Sequence, residues 1–228
     1  MNLIERAAKY LDSLVLDSSK NNGVLLLVSG GSCLNVVNAM ETCWNDKVTI
    51  GVIDERYTTD FNISNFGQMK NLPFWSNVTR KKCGVINTEI KTGETLGAAA
   101  ARMEKQWKNW KKHNRQGKVI VLLGMGVDGH TAGIMPMPED KGKINALFGD
   151  NSGWVCGYDC GDKNAYRYRL TATLSFLQKE VKEAVVFVMG KEKKEKWGEI
   201  NDGEKNVWEM PIKVIKSMRS VTYFTDFE

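Results

Sequence analysis

The chain has few of the residues that most often announce a function. Histidine occurs twice in 228 residues, at His113 and His130, so imidazole chemistry has two possible addresses. The five cysteines (Cys33, Cys43, Cys83, Cys156 and Cys160) are odd in number and scattered. Cys156-x-x-x-Cys160 has no second pair at matching spacing, which argues against a zinc knuckle and for reduced thiols in a cytoplasmic protein. No apolar run approaches the roughly 20 residues of a membrane span, and no repeat or low-complexity tract is visible. The opening MNLIERAAKYLDSLV carries acids and no small-residue cleavage site, so an amphipathic helix is expected there rather than a signal peptide. What remains is a folded composition, 42% hydrophobic and 26% charged, with a net charge of +5. That mild excess favours an anionic small substrate over nucleic acid.

Strands and helices alternate along the chain. Apolar residues at helical spacing run from Leu3 to Val15, and Asn21-Asn22-Gly23 ends that helix. Apolar or β-branched runs predict strands over 24–28, 48–53, 83–87, 118–123, 154–158, 168–173, 184–189 and 221–224. Helices are expected over about 33–44, 93–113 and 191–200, with a helical turn possible in 62–70. Residues 72–75 and 137–153 read as loop. Strands separated by helices of ten or more residues imply an α/β fold with a mostly parallel sheet covered on both faces. No linker is visible, so one domain over 1–228 is expected, with room for a small lobe within 137–180.

Polar groups gather just past the apolar runs, where parallel sheets open a crevice. Val119–Leu123 leads directly into Gly124-Met125-Gly126-Val127-Asp128-Gly129-His130-Thr131. A carboxylate and an imidazole at a strand's carboxyl end suit proton transfer. His113 sits instead in the basic helix end Lys111-Lys112-His113-Asn114-Arg115, where no role is expected. Ser29-Gly30-Gly31-Ser32 joins a strand to a helix, and its glycines let backbone N–H groups approach a phosphate. A tight turn capped by Ser32 is the plain alternative. The segment lacks the lysine of a P-loop. Asp54-Glu55-Arg56 follows another apolar strand and either faces the crevice or forms a surface ion pair. Arg167-Tyr168-Arg169-Leu170-Thr171 offers guanidinium groups for a phosphate or for a salt bridge.

Gly124-x-Gly126-x-x-Gly129 also spells the dinucleotide fingerprint. The true motif opens a helix and is followed about 20 residues later by an acid ending the next strand. Here Pro136 and Pro138 cut any helix short and glycine-rich loop follows, so dinucleotide binding is not expected.

Four segments together carry a resemblance: Ser29-Gly30-Gly31-Ser32, Asp54-Glu55-Arg56 with Ser64-Asn65, Gly124-Met125-Gly126-x-Asp128-Gly129-His130-Thr131-Ala132, and Arg169-Leu170-Thr171. Their order and spacing resemble the 6-phosphogluconolactonases across nearly the whole chain. The related glucosamine-6-phosphate deaminases carry a glutamate five places after the histidine, where this chain has Met135, and tend to carry tyrosine where it has Arg56. Departures from the lactonase pattern are Cys33-Leu34 in place of Thr-Pro, and Gly133 and Met135 in place of serine and phenylalanine.

The resemblance implies a Rossmann-like three-layer α/β/α fold, similar to that of the deaminases and of ribose-5-phosphate isomerase. It implies hydrolysis of 6-phosphoglucono-δ-lactone to 6-phosphogluconate in the oxidative pentose phosphate pathway, with no cofactor or metal. A deaminase or isomerase of the same fold and a non-catalytic sugar-phosphate binder are the alternatives. His130 would take a proton from water and pass it to the leaving ring oxygen, since an imidazole titrates near ~6.5. Asp128 or Asp54 would orient the histidine or the water, and Arg56 would stabilise the tetrahedral intermediate. The phosphate would lie on Gly30, Gly31 and Ser32, with Arg169 and Lys193; Lys193 stands at the lysine of the family's Gly-x-x-Lys after Gly190. The expected partner is a small sugar phosphate, without nucleic acid or membrane, for a monomer or small homo-oligomer.

Overall fold

The computed structural model describes residues 1–201, 203 and 205–227. Among them, six strands form one parallel sheet: β1 (Val24–Val28), β2 (Val48–Val52), β4 (Gly84–Val85), β5 (Lys118–Leu123), β8 (Val181–Val188) and β9 (Val221–Thr225), in the order β4-β2-β1-β5-β8-β9. A second, antiparallel sheet joins β3 (Asp54–Arg56), β7 (Tyr168–Ala172) and β6 (Val155–Asp159), in the order β3-β7-β6.

β1 and β5 are apolar without alternation because both faces of the large sheet are covered. Val24, Leu26 and Val28 pack in one core with α1 (Leu3–Ser19), α2 (Ser32–Asn38), α3 (Asn65–Lys70) and α4 (Trp75–Arg80). Leu25 and Leu27 face the other core, with α5 (Leu96–His113), α6 (Lys141–Phe148), α7 (Leu174–Lys179) and the small sheet. This is a three-layer α/β/α arrangement. Residues of the 137–180 stretch, such as Phe148, Tyr158, Leu170 and Phe176, share that second core with β1 and β5. After β8 the chain winds through short 3-10 turns around α8 (Lys194–Gly198), not the single helix expected over 191–200.

Several elements differ from the sequence expectation for identifiable reasons. The helix expected over 33–44 stops at Asn38. Buried Asp12 on α1 accepts hydrogen bonds from the amides of Thr42 and Cys43, and so holds residues 42–43 in a non-helical path. α6 lies where loop was expected. Asp140 caps it, accepting from the Lys143 N–H at 2.8 Å, and it buries only Ile144 and Phe148, too short a stripe to stand out. α4 and α7 are six-residue helices of the same kind. Asp54-Glu55-Arg56, expected only to follow the strand ending at 53, is itself a strand of the small sheet.

The strand order reverses between β1 and β5: the chain leaves β1 toward β2, then returns to β1's other side as β5. Connections after β1 and β5 therefore diverge and leave a crevice at their carboxyl ends. No helix among the described residues is long and apolar enough to cross a membrane. All five cysteines are free thiols.

Candidate active site

The crevice is a cleft of ≈ 250 Å³ whose walls come from four separate loops and the small sheet. Ser29, Gly30, Gly31 and Ser32 form one wall and Gly124, Met125, Gly126, His130, Thr131, Ala132 and Gly133 another; Asp54, Arg56, Asn65, Arg169 and Lys193 complete it. Of the residues expected at the site, only Asp128 is not part of the lining, and it contacts a residue that is.

Gly31 has φ +64°, a left-handed conformation open to glycine at no steric cost. It turns the chain from β1 into α2, and nothing stands within 4 Å of where a side chain would begin. Gly30 lies directly against Asn65, whose Oδ1 would be 2.2 Å from any Cβ placed there.

The turn after β5 is not the start of a helix. The Gly126 N–H donates to the His130 carbonyl at 2.9 Å, and Gly129, at φ +84°, returns its N–H to the Gly126 carbonyl. Thr131 Oγ1 ties the turn to the Gly124 carbonyl at 2.7 Å. The nearest following helix begins at Lys141, so the glycine spacing serves this turn and not a dinucleotide. The turn brings His130 Nδ1 to 2.6 Å from Asp128 Oδ1, which also accepts the His130 N–H at 3.0 Å. Burial pushes the Asp128 carboxyl up, but hydrogen bonds and charge attraction from His130 outweigh it and hold it below the usual carboxylate value. An ionised Asp128 fixes the proton on Nδ1 and leaves Nε2 as the ring's free base.

On β3 the side chains alternate. Asp54 and Arg56 face the cleft, while Glu55 points away and is fully buried. Its carboxylate accepts five hydrogen bonds. Oε1 takes the N–H groups of Arg56 (2.8 Å) and Asn65 (2.6 Å). Oε2 takes the Phe66 N–H and the hydroxyls of Ser64 and Thr88. Burial pushes this carboxyl up, against the effect of those donors. Glu55 is thus a structural anchor for the start of α3, and it stays out of the crevice that Asp54 and Arg56 face.

Arg56 and Arg169 are directly opposed in the β3–β7 ladder. Like charges in that relation repel. Asp54 offsets part of the repulsion, accepting from Arg169 Nη2 at 2.8 Å with both side chains about 5% exposed (5% and 6%). Asp54 makes no hydrogen bond to His130 among the described residues; its other partner is Asn65 Nδ2. Arg56 donates to the Ile63 carbonyl and lies 5.0 Å from the Tyr166 ring, a cation–π contact with no advance signal in the sequence. Of the lysines at 191, 193, 194 and 196, only Lys193 lines the cleft, while Lys196 pairs with Glu199.

Five buried side-chain polar atoms have no partner among the described residues, and four of them line this cleft: Ser29 Oγ, Arg56 Nε, Asn65 Oδ1 and Arg169 Nε. Such atoms are costly unless a ligand or solvent satisfies them. Three cations face the cleft against one carboxylate, a balance suited to a phosphate. Ser29 and Asn65 belong to the matched segments, yet neither residue type by itself marked a ligand contact.

Of the departures from the expected pattern, Cys33, Leu34 and Met135 lie behind the cleft wall, whereas Gly133 is part of its lining. Cys33 is fully buried, and burial pushes its thiol up to about 12, so it is no nucleophile. Met135 is fully buried in the core and lies outside the cleft. Gly133 has φ +75°, and a Cβ there would stand 2.8 Å from that of Asp54. No group of three or more histidine, cysteine or acidic side chains among the described residues is arranged to hold a metal ion.

A family model described as glucosamine-6-phosphate isomerases/6-phosphogluconolactonase matches residues 1–224. No curated protein sequence matches the chain. Among solved structures, the 6-phosphogluconolactonase from Plasmodium vivax superposes with a TM-score of 0.77 at 19% identity, over 99% of this chain and 87% of that one. The enzyme of that name from Shewanella baltica gives 0.74 at 20% identity, over 97% and 94%. That from Trypanosoma brucei gives 0.72 at 16%, over 97% and 92%. At these identities the likeness is one of fold.

Proposed function

This chain belongs to the glucosamine-6-phosphate isomerase/6-phosphogluconolactonase family, and we propose that it hydrolyses 6-phosphoglucono-δ-lactone to 6-phosphogluconate. One observation carries the reading: an imidazole aligned by a carboxylate, two opposed guanidinium groups and a glycine turn meet around a single cleft. That set supplies a base, an anion site and a charge stabiliser for opening a cyclic ester.

In the proposed reaction, His130 Nε2 takes a proton from water as the water oxygen bonds to the lactone C1. The bond from C1 to the ring oxygen then breaks, and the imidazolium returns the proton to that oxygen. Asp128 stays ionised and keeps the ring aligned throughout. Arg56 stabilises the negative charge on the tetrahedral intermediate. Arg169, Lys193 and the backbone N–H groups of Gly30, Gly31 and Ser32 take the phosphate. Asp54 acts through Arg169, whose guanidinium it aligns. No cofactor or metal takes part.

The deaminase reading needs an acid for ring opening, and Met135 supplies none. On this reading the protein is a cytoplasmic enzyme that acts on a free sugar phosphate as a monomer or small homo-oligomer, without nucleic acid or membrane; its odd-numbered, scattered cysteines support the cytoplasm. The test generates the lactone in situ from glucose 6-phosphate and compares hydrolysis with the enzyme-free rate. Acceleration is expected. An unchanged rate with retained 6-phosphogluconate binding makes the protein a sensor, and ammonia release from glucosamine 6-phosphate makes it a deaminase.

A further inference from the structure

We infer that Asn65 is a specificity-determining residue whose side-chain oxygen accepts a hydrogen bond from one hydroxyl of the sugar. The inference rests on the lactonase reading and adds to it a contact that discriminates among phosphorylated lactones.

The orientation of the amide is fixed by its neighbours. Asn65 is 1% exposed, and its Nδ2 donates to the Asp54 carbonyl at 2.9 Å and to Asp54 Oδ2 at 3.3 Å. Turning the amide over would set its oxygen against two acceptors, so Oδ1 must occupy the other position. There it lies against Gly30, with no hydrogen-bond partner among the described residues. The backbone is equally constrained: the Asn65 N–H donates to Glu55 Oε1 at 2.6 Å, and Ser64 caps the helix that begins here. An acceptor held this firmly at the wall of a polar cleft has one chemical preference, a donor.

A phosphate offers no donor when fully ionised, so its oxygens are repelled by Oδ1. The anion's oxygens therefore turn from Oδ1 toward the N–H groups of the Gly30–Ser32 turn, Arg169 and Lys193. The sugar's hydroxyls are the remaining donors that a 6-phosphorylated aldonolactone brings. Ser29 Oγ, also buried and unpartnered in the lining, can act as donor or acceptor and completes a polar wall for the ring. Glu55 and Asp54 thereby gain a purpose beyond stability: one fixes the backbone of Asn65 and the other its amide.

The test measures kcat/KM for the lactones of glucose 6-phosphate and of its 2-, 3- and 4-deoxy analogues, with wild type and Asn65→Ala. In the wild type, one analogue is expected to fall by about 10–100-fold, the consequence of leaving a buried acceptor unpaired. In Asn65→Ala the parent lactone falls to a similar level, and the penalty for that analogue shrinks to about 2-fold or less. Binding of 6-phosphogluconate and its deoxy forms, followed by calorimetry, gives a second readout that does not depend on turnover. If the wild type handles all three analogues as it does the parent, the inference fails without reference to any variant. It fails equally if Asn65→Ala retains the full discrimination. Either result with an active lactonase leaves the lactonase reading standing, whereas failure to hydrolyse or bind any of these compounds removes both.

Discussion

At the scale of single residues, the decisive contact is the 2.6 Å bond between His130 and Asp128. His130→Ala is expected to lower kcat by about 10²–10⁴-fold with the fold intact; near-normal turnover removes the imidazole from the mechanism. Gly126 gives an independent approach to the same group. A Cβ at Gly126 would stand 2.1 Å from the ring atoms Cε1 and Nδ1, so Gly126→Ala must displace the imidazole. Its kcat is expected to drop while KM, set by the phosphate contacts, changes little. Normal kcat in Gly126→Ala would mean that the ring need not lie where the structure places it. The positions of His130 and Arg56 at the cleft and of Asp128 beside it were legible because these residue types directly follow apolar strand runs. Tyr166, stacked on Arg56 from a connection 110 residues later, was not, because an aromatic in a loop has no distinctive spacing.

At the scale of elements, the truncated second helix shows how one side chain redirects another segment. Asp12 on α1 takes the amides of Thr42 and Cys43, and without it two donors lose their acceptor. Asp12→Ala is expected to cost about 2–3 kcal/mol of unfolding free energy, read by denaturant titration. Burial raises the Asp12 carboxyl, but the bonds from Thr42 and Cys43 outweigh this and leave it below its ordinary value of 3.8. A depressed folded-state value means that the stabilisation is present above the unfolded value and is lost as pH falls through the folded one. The gap between wild type and Asp12→Ala should therefore be full at pH 6 and close progressively below about pH 4. A gap independent of pH would show that the carboxylate is not the group responsible.

At the scale of the whole molecule, the cleft exists because a parallel sheet sends its loops to one end while the small sheet closes over them. Arg169 and Asp54 join β7 to β3 across that closure. Arg169→Ala leaves Asp54 buried without its cation, at a cost of about 3–5 kcal/mol, which lowers Tm by on the order of 10 °C in a chain of this length. In the proposed reaction it also removes a phosphate ligand. 6-Phosphogluconate at 100 times its Kd should stabilise the wild type by about 2.7 kcal/mol. The same concentration should shift the melting curve of Arg169→Ala far less. Equal shifts in both proteins would place the phosphate elsewhere.

The sequence by itself determined the alternation of strands and helices, the parallel sheet and the glycine-bearing loops that line the cleft. Those features depend on local periodicity and on glycines at strand ends, which a linear reading can register. The tertiary structure alone decided that Asp54-Glu55-Arg56 is a strand, that Glu55 turns away from the cleft its neighbours face, and that Asp128 rather than Asp54 holds the histidine. It also ended α2 early and set Lys193, of four nearby lysines, at the cleft. Most of these depend on a partner distant in the chain: β7 for β3, α3 for Glu55, α1 for the end of α2. Arg169 likewise draws Asp54 away from a histidine that its near neighbour Asp128 then holds. A contact between remote segments leaves no periodic trace in either of them, so only the folded chain could reveal it.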